Sequence, residues 1–186
     1  MKRPTPQEAI GARCNEFTIC IKMLLDTKHT LPALVLLYSA IDVFASLTRP
    51  ESEPDTNGGH FKKWTNDYLI GPSRLKVTSE DLWGARCGLL HTHSPSSRDS
   101  RQGKAHELAY YRTHAPTPDL QRMMETTLKV LQTKGKLPLD VDTLYAAFEN
   151  GVRLFLSDIQ RDPELEKRAL HHCSKVFGVV NSGAKM

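Results

Sequence analysis

Apolar residues near the start of the chain recur at mixed three- and four-residue intervals: Ile10, Cys14, Phe17, Ile19, Ile21, Met23, Leu24 and Leu25. That spacing predicts an amphipathic helix from Thr5 to about Lys28, with Pro6 tolerated in the first turn, where its missing donor is not needed. Thr30 is expected to cap a second helix, with Pro32 near its start. From Ala33 to Leu47 this segment is apolar nearly all round, the pattern of a helix at the centre of a bundle. Its polar side chains Ser39, Asp42 and Ser46 are three and four apart and form one narrow stripe.

Residues 49–59 mix proline, acid and glycine without periodicity, which marks an exposed loop. Phe61, Trp64, Tyr68 and Leu69 predict a short helix ended by Gly71-Pro72. Thr78 or Ser79 is expected to cap a fourth helix, with Glu80 and Asp81 in its first turn, where carboxylates favour the helix dipole. Leu82, Trp83, Ala85, Leu89 and Leu90 form its buried side, and it stops near His93, because Ser94 precedes Pro95. Residues 94–101 read as a serine-rich basic loop, and Glu107 to Arg112 as a short strand. A helix follows from Asp119 to about Lys134, although Thr126 and Thr127 leave an extended reading open. Gly135 and Pro138 break the chain. Asp140 or Asp142 then caps an apolar helix holding Leu144, Ala147, Phe148, Leu154, Phe155 and Ile159, and Asp162-Pro163-Glu164 opens a last helix to about Phe177. The pattern predicts a mainly α fold, a helical bundle with at most a short strand or hairpin insertion. A single domain over 1–180 is expected, with 181–186 a mobile tail.

A chain of 186 residues, 39% hydrophobic, can bury one sizeable core without a second domain. Its 25 basic and 21 acidic residues leave a net charge of +4, which permits an RNA or DNA partner without demanding one. The four cysteines show no paired spacing, and Met1-Lys2-Arg3-Pro4 leads into a polar segment, so a reducing, cytoplasmic setting is expected. The most apolar stretch, Leu31 to Leu47, contains Asp42 and falls short of the roughly 20 residues of a membrane span. No membrane partner is expected.

Between Arg86 and His114 the chain gathers His91, His93, His106 and His114 with Arg86, Arg98, Arg101, Lys104 and Arg112, against only Asp99 and Glu107. One reading is a solvated basic loop; the sharper one is a phosphodiester site, with Arg98, Arg101 and Lys104 as RNA-binding candidates. Cleaving RNA without a metal needs a base for the 2'-hydroxyl, an acid for the leaving oxygen and a cation beside the developing phosphorane. Histidine serves either proton task near neutral pH, and arginine grips phosphate with a planar fork. Arg86 and His91 supply both types. On a continuing helix, five residues turn by roughly 140° and rise about 7.5 Å, so the two share a face only if the helix frays or ends at His91.

Asp42, on its apolar helix, needs a partner: Arg86 of the same chain or its copy in a partner chain, or backbone and tyrosine groups. His93 can cap the helix end or reach the same cleft. Cys87 and His91 are four apart, but a thiolate late in a helix opposes the dipole, which disfavours a cysteine nucleophile. Zinc sites from Cys87, His91 and His93, or from His171, His172 and Cys173, lack a separated second ligand pair, so neither metal nor cofactor is expected. The aromatics Phe61, Trp64, Tyr68, Phe148 and Phe155 read as core.

The segment Asp81-Leu82-Trp83-Gly84-Ala85-Arg86-Cys87-Gly88-Leu89-Leu90-His91-Thr92-His93-Ser94-Pro95 resembles the motif helix of the HEPN superfamily (higher eukaryotes and prokaryotes nucleotide-binding domains), an arginine followed four to six residues later by a histidine. Leu36 to Asp42 resembles the buried second helix of that fold. The resemblance spans roughly Thr5 to Ser96 and the helical C-terminal third. It implies a HEPN-like bundle in which Arg86 binds phosphate and His91 is a general acid or base, with Asp42, Cys87 and His93 supporting or positioning them. It also implies a two-fold dimer whose motifs share one cleft, supplying a second histidine. The implied activity is a metal-independent endoribonuclease, such as a toxin or phage-defence enzyme with a cognate antitoxin protein. The alternative is a non-catalytic module that binds nucleotide, RNA or a partner protein. Cys87 stands where active members often carry a polar residue.

Overall fold

The computed structural model describes residues 6–73, 75–94, 96–112 and 117–176. Helix α1 spans Pro6–Asp26, α2 Thr30–Thr48 and α3 Gly58–Trp64, which runs on into a π-helical turn at Thr65–Ile70. Helix α4 covers Ser79–Thr92 and the single turn α5 Arg98–Arg101. Strand β1, Glu107–Tyr111, is followed by α6, Pro118–Thr133, and by β2, Lys136–Asp140. Helices α7, Val141–Arg161, and α8, Pro163–Val176, complete the fold. The expected start at Thr5, His114, Pro95, Phe177 and the tail at 181–186 lie outside the described residues.

The architecture is mainly α, and α2 lies at its centre, packed by α1, α3, α4, α7 and α8. The all-round apolar pattern of α2 explains this placement, since each face needs an apolar neighbour. Phe44 is fully buried, with the rings of Phe17 and Trp64 both 5.8 Å away and those of Phe148 and Phe155 both at 6.0 Å. These rings join α2 to α1, α3 and α7 in one core. By length and composition α2 is also apolar enough to cross a membrane, yet 56% of that window is buried in the protein, so its apolar surface is used by the core. Helix α2 begins one residue earlier than expected. His29 is its N-cap, without a side-chain bond, and Thr30 is already helical, because Lys28 turns the chain at φ 64°.

One expectation in the C-terminal half changes, and one left open is settled as helix. Lys136–Asp140 is not merely a break but a strand, paired in parallel with β1 from Glu107↔Lys136 to Tyr111↔Asp140. Pro138 sits opposite Ala109, and it is tolerated because each strand of a two-stranded sheet has a free edge for the missing donor. The insertion is thus a parallel unit and not a hairpin. Parallel strands require a crossover, and α6 supplies it. Thr126 and Thr127 do not make α6 extended: their hydroxyls bond the carbonyls of Arg122 and Met123 at 2.9 Å, within the helix.

Tyr38 of α2 and Tyr110 of β1 bring their hydroxyls within 2.6 Å, fastening the strand pair to the central helix. At the far end of β1, Arg112 grips Asp142 through Nε and Nη2 at 3.1 and 2.6 Å and donates to the Leu25 carbonyl at 2.6 Å. The sheet therefore bridges α1, α2 and α7.

Candidate functional site

Helix α4 carries the motif, and its first turn is fixed by a capping box. Thr78 accepts from the Asp81 N–H at 3.1 Å, and the Asp81 carboxylate accepts from the Thr78 N–H at 2.9 Å. At its other end α4 does not fray at His91. It continues through Thr92 and closes at His93, which has left-handed angles, φ 50° and ψ 28°. The His93 N–H donates to the Leu89 carbonyl and the Ser94 N–H to the Gly88 carbonyl, at 3.2 and 3.3 Å. The capping reading of His93 agrees with this backbone geometry.

The chain after His93 folds back along α4, and glycine permits it. A Cβ on Gly88 would lie 2.4 Å from the Ser94 carbonyl oxygen, and one on Gly84 would lie 3.1 Å from Ala105 Cβ. These glycines lie on one face of the helix and Arg86 on another.

Arg86 does meet His91, with Nη1 3.4 Å from Nε2, although the helix is continuous between them. The expected need for a frayed helix is thus removed. The flexible arginine stem carries the guanidinium along and around the axis, which the angular separation of the backbone positions does not measure. Arginine has donors only, so in this contact His91 Nε2 is the acceptor.

Of the alternatives for Asp42, the structure has the arginine. Arg86 Nε donates to Asp42 Oδ2 at 2.8 Å, and Nη2 lies 2.7 Å from the same oxygen. The guanidinium carbon stands 5.1 Å from the centre of the Trp83 ring, a cation–π contact one turn back on the same helix. Burial pushes the Asp42 carboxyl up, and Arg86 offsets this in part; burial is the largest influence on Arg86 and lowers it, while the bond to Asp42, the Asp42 charge and Cys87 together outweigh it and leave the guanidinium raised. We take the pair as ionised, since the guanidinium stays charged and two of its nitrogens meet Oδ2 of the carboxylate. Two nitrogens are committed to Asp42, and Nη1 is turned to His91.

This arrangement opens on a cleft of about 250 Å³, lined by Asp42, Val43, Ser46, Thr56, Asn57, Trp83 and Arg86. His91 is exposed. Cys87 is half-buried; burial pushes its thiol up, and the neighbouring Arg86 pulls it down without cancelling the rise. It is a poor nucleophile in this setting. His93 stands apart from the guanidinium contacts and borders an apolar groove of about 450 Å³ with Leu24, Leu31, Pro32, Val35, Leu36 and Ser39. Among the described residues, no group of three or more His, Cys, Asp or Glu is arranged to hold a metal ion. All four cysteines are free.

The three basic candidates after the motif divide. Arg98 is exposed on α5, whereas Arg101 and Lys104 border a separate and larger groove. That groove contains a pair the sequence did not reveal. Asp81, almost fully buried, accepts from the His106 N–H at 2.6 Å and lies 3.1 Å from His106 Nδ1, while the imidazole is 65% exposed. Burial would push the Asp81 carboxyl up, but the hydrogen bonds it receives from Thr78 and His106 hold it below its ordinary value. Twenty-five residues separate the two, so no local spacing announces them. The only sequence signal was the presence of His106 in the histidine-rich region. Among protein-family models, curated proteins and solved structures, none matches the chain.

Proposed function

We propose that this protein is a HEPN-like, metal-independent endoribonuclease acting through Arg86 and His91. The observation that carries the reading is the 3.4 Å contact between an exposed imidazole and a guanidinium braced by Asp42 and Trp83. It pairs a group able to move a proton with a fixed cation, beside an open cleft.

In the proposed step, one imidazole takes the 2'-hydroxyl proton, and the 2'-oxygen attacks the adjacent phosphorus. The P–O5' bond breaks, and a second, protonated imidazole supplies the proton to O5'. The products are a 2',3'-cyclic phosphate and a free 5'-hydroxyl. Arg86 stabilises the charge on the non-bridging oxygens. Among the described residues one histidine, His91, contacts Arg86, so the second in this reading is His91 of another copy in a homodimer. The apolar groove bordered by His93 supports an interface on this side. A toxin or phage-defence setting, in the cytoplasm and with a cognate antitoxin, fits this chemistry.

The competing reading is a non-catalytic module that binds RNA, nucleotide or a partner protein. It is favoured by Cys87 after the motif arginine and by the engagement of two Arg86 nitrogens with Asp42. Incubation of the purified protein with structured RNA in EDTA separates the two. Cleavage to cyclic-phosphate ends is expected, reduced about 100-fold or more in both Arg86→Ala and His91→Ala. Cleavage that survives both substitutions excludes the assigned roles; RNA binding without cleavage selects the binding module.

A further inference from the structure

The larger groove lies against the first turn of α4, the segment 96–106 and the turn joining α6 to β2, and its volume is about 630 Å³. That is the size of a small-ligand site. Its cations come from two separate turns. Gly103 at φ 69° precedes Lys104, and Gly135 at φ 73° follows Lys134, so two left-handed glycine turns present lysines to one groove. Arg101, from α5, joins them. Arg101, Lys104 and Lys134 are exposed, and none forms an ion pair among the described residues.

The acids of the groove are already engaged. Glu107 is bound to Lys136 at 2.5 Å, Glu80 lies 3.7 Å from Lys62, and Asp81 is satisfied by Thr78 and His106. The buried Asp81 also fixes how His106 stands. With Nδ1 turned to the carboxylate, the other ring nitrogen is left for a ligand, as in carboxylate–imidazole pairs elsewhere. No phenyl, phenol or indole ring lines the groove among the described residues, so it offers no stacking surface for a base.

We propose that this groove is a phosphate-binding site distinct from the Arg86 cleft, in which Arg101, Lys104, Lys134 and the Asp81-oriented His106 hold the phosphates of a nucleotide or of a polynucleotide backbone. Recognition is by phosphate and not by base. The site stands whether or not the chain cleaves RNA.

The test titrates inorganic triphosphate, ATP and GTP into the full chain at low salt by calorimetry, and follows a labelled short single-stranded RNA by fluorescence anisotropy. The variant Arg101→Ala/Lys104→Ala/Lys134→Ala changes exposed side chains only; Lys63→Ala, an exposed cation on α3, is the control outside both the groove and the Arg86 cleft. Triphosphate, ATP and GTP are expected to bind alike, about tenfold or more weakly to the triple variant, since a hydrogen bond to a charged group has that worth. Lys63→Ala is expected to bind them as the wild type does. If only the RNA binds, and the triple variant weakens it, the phosphates are those of a backbone and the site stands. The proposal is overturned if the triple variant binds triphosphate and RNA as the wild type does, or if the wild type binds neither. Loss of cleavage in the EDTA assay with groove binding intact would count against the ribonuclease reading alone.

Discussion

Asp42 on α2 and Arg86 on α4 are 44 residues apart in the chain and join through a single carboxylate oxygen, Oδ2, which meets both Nε and Nη2. Their side chains are 24% and 21% exposed, so water screens the pair only partly. The bond holds the guanidinium by one edge and leaves Nη1 toward His91. Asp42→Asn is therefore expected to loosen the guanidinium, lowering RNA turnover by about 10-fold or more if the ribonuclease reading holds. The same change should cost about 1–2 kcal/mol of stability in urea denaturation, less than a fully buried pair would. Unaltered turnover would remove Asp42 from the site.

Gly88 and His93 carry opposite penalties at the end of α4. A methyl group on Gly88 would collide with the Ser94 carbonyl, which is backbone and cannot rotate away. Gly88→Ala is expected to destabilise the fold by about 1–3 kcal/mol. His93 adopts positive φ without being glycine, so His93→Gly is expected to be neutral or stabilising, up to about 1 kcal/mol. Urea midpoints that move in the reverse order would refute this account of the helix end.

The hydroxyls of Tyr38 and Tyr110, 2.6 Å apart, satisfy one another in a buried position. Burial is the first cause raising both phenols, so the pair stays neutral through the physiological range. Removing one hydroxyl orphans the other. Tyr38→Phe and Tyr110→Phe should each cost about 1–3 kcal/mol, and the double variant clearly less than their sum. An additive double-mutant cycle would contradict the pairing.

Acid stability should follow Asp81 and His172. Asp81 is held below its ordinary carboxyl value when folded, so it contributes stability that is complete above about pH 4 and is lost as pH falls through its folded value. Buried His172 is depressed, first by burial and then by Arg49 and His171. An unfolded chain takes up that proton from about pH 6.5 downward and the folded one later, so stability declines between those points. Urea midpoints measured from pH 7 to pH 3 should thus fall in two stages. His172→Gln is expected to flatten the upper stage and Asp81→Asn the lower; an unchanged profile in either variant would reject that assignment.

The features legible in the sequence are those set by local periodicity. The all-round apolar run from Ala33 to Leu47 announced a central helix, and the Ser39, Asp42 and Ser46 stripe marked the face that needed a partner. Of the two candidate caps for α4, Thr78 and Ser79, Thr78 is the N-cap. What stayed hidden depends on distant segments meeting. Nothing near Pro138 signals a strand, because Lys136–Asp140 gains its extended form from pairing with β1. The Asp81–His106 pair was equally hidden, since Asp81 looked fully explained by the helix dipole. The Arg86 and His91 contact was misjudged for another reason: backbone angles ignore the reach of a four-bond stem.

The parallel pairing of β1 with β2 also bears on the order in which the molecule assembles. Glu107 meets Lys136 only after 29 intervening steps of chain have been closed into a loop, and the ladder returns nothing until that closure is complete. Helical hairpins such as α1 with α2 have no such delay. The groove that rests on the α6–β2 turn is accordingly expected to be completed after the helical bundle. Elements that join last with a small interface are also the first to let go, so amide exchange should be quickest there, and an anion seated between the two glycine turns would slow it.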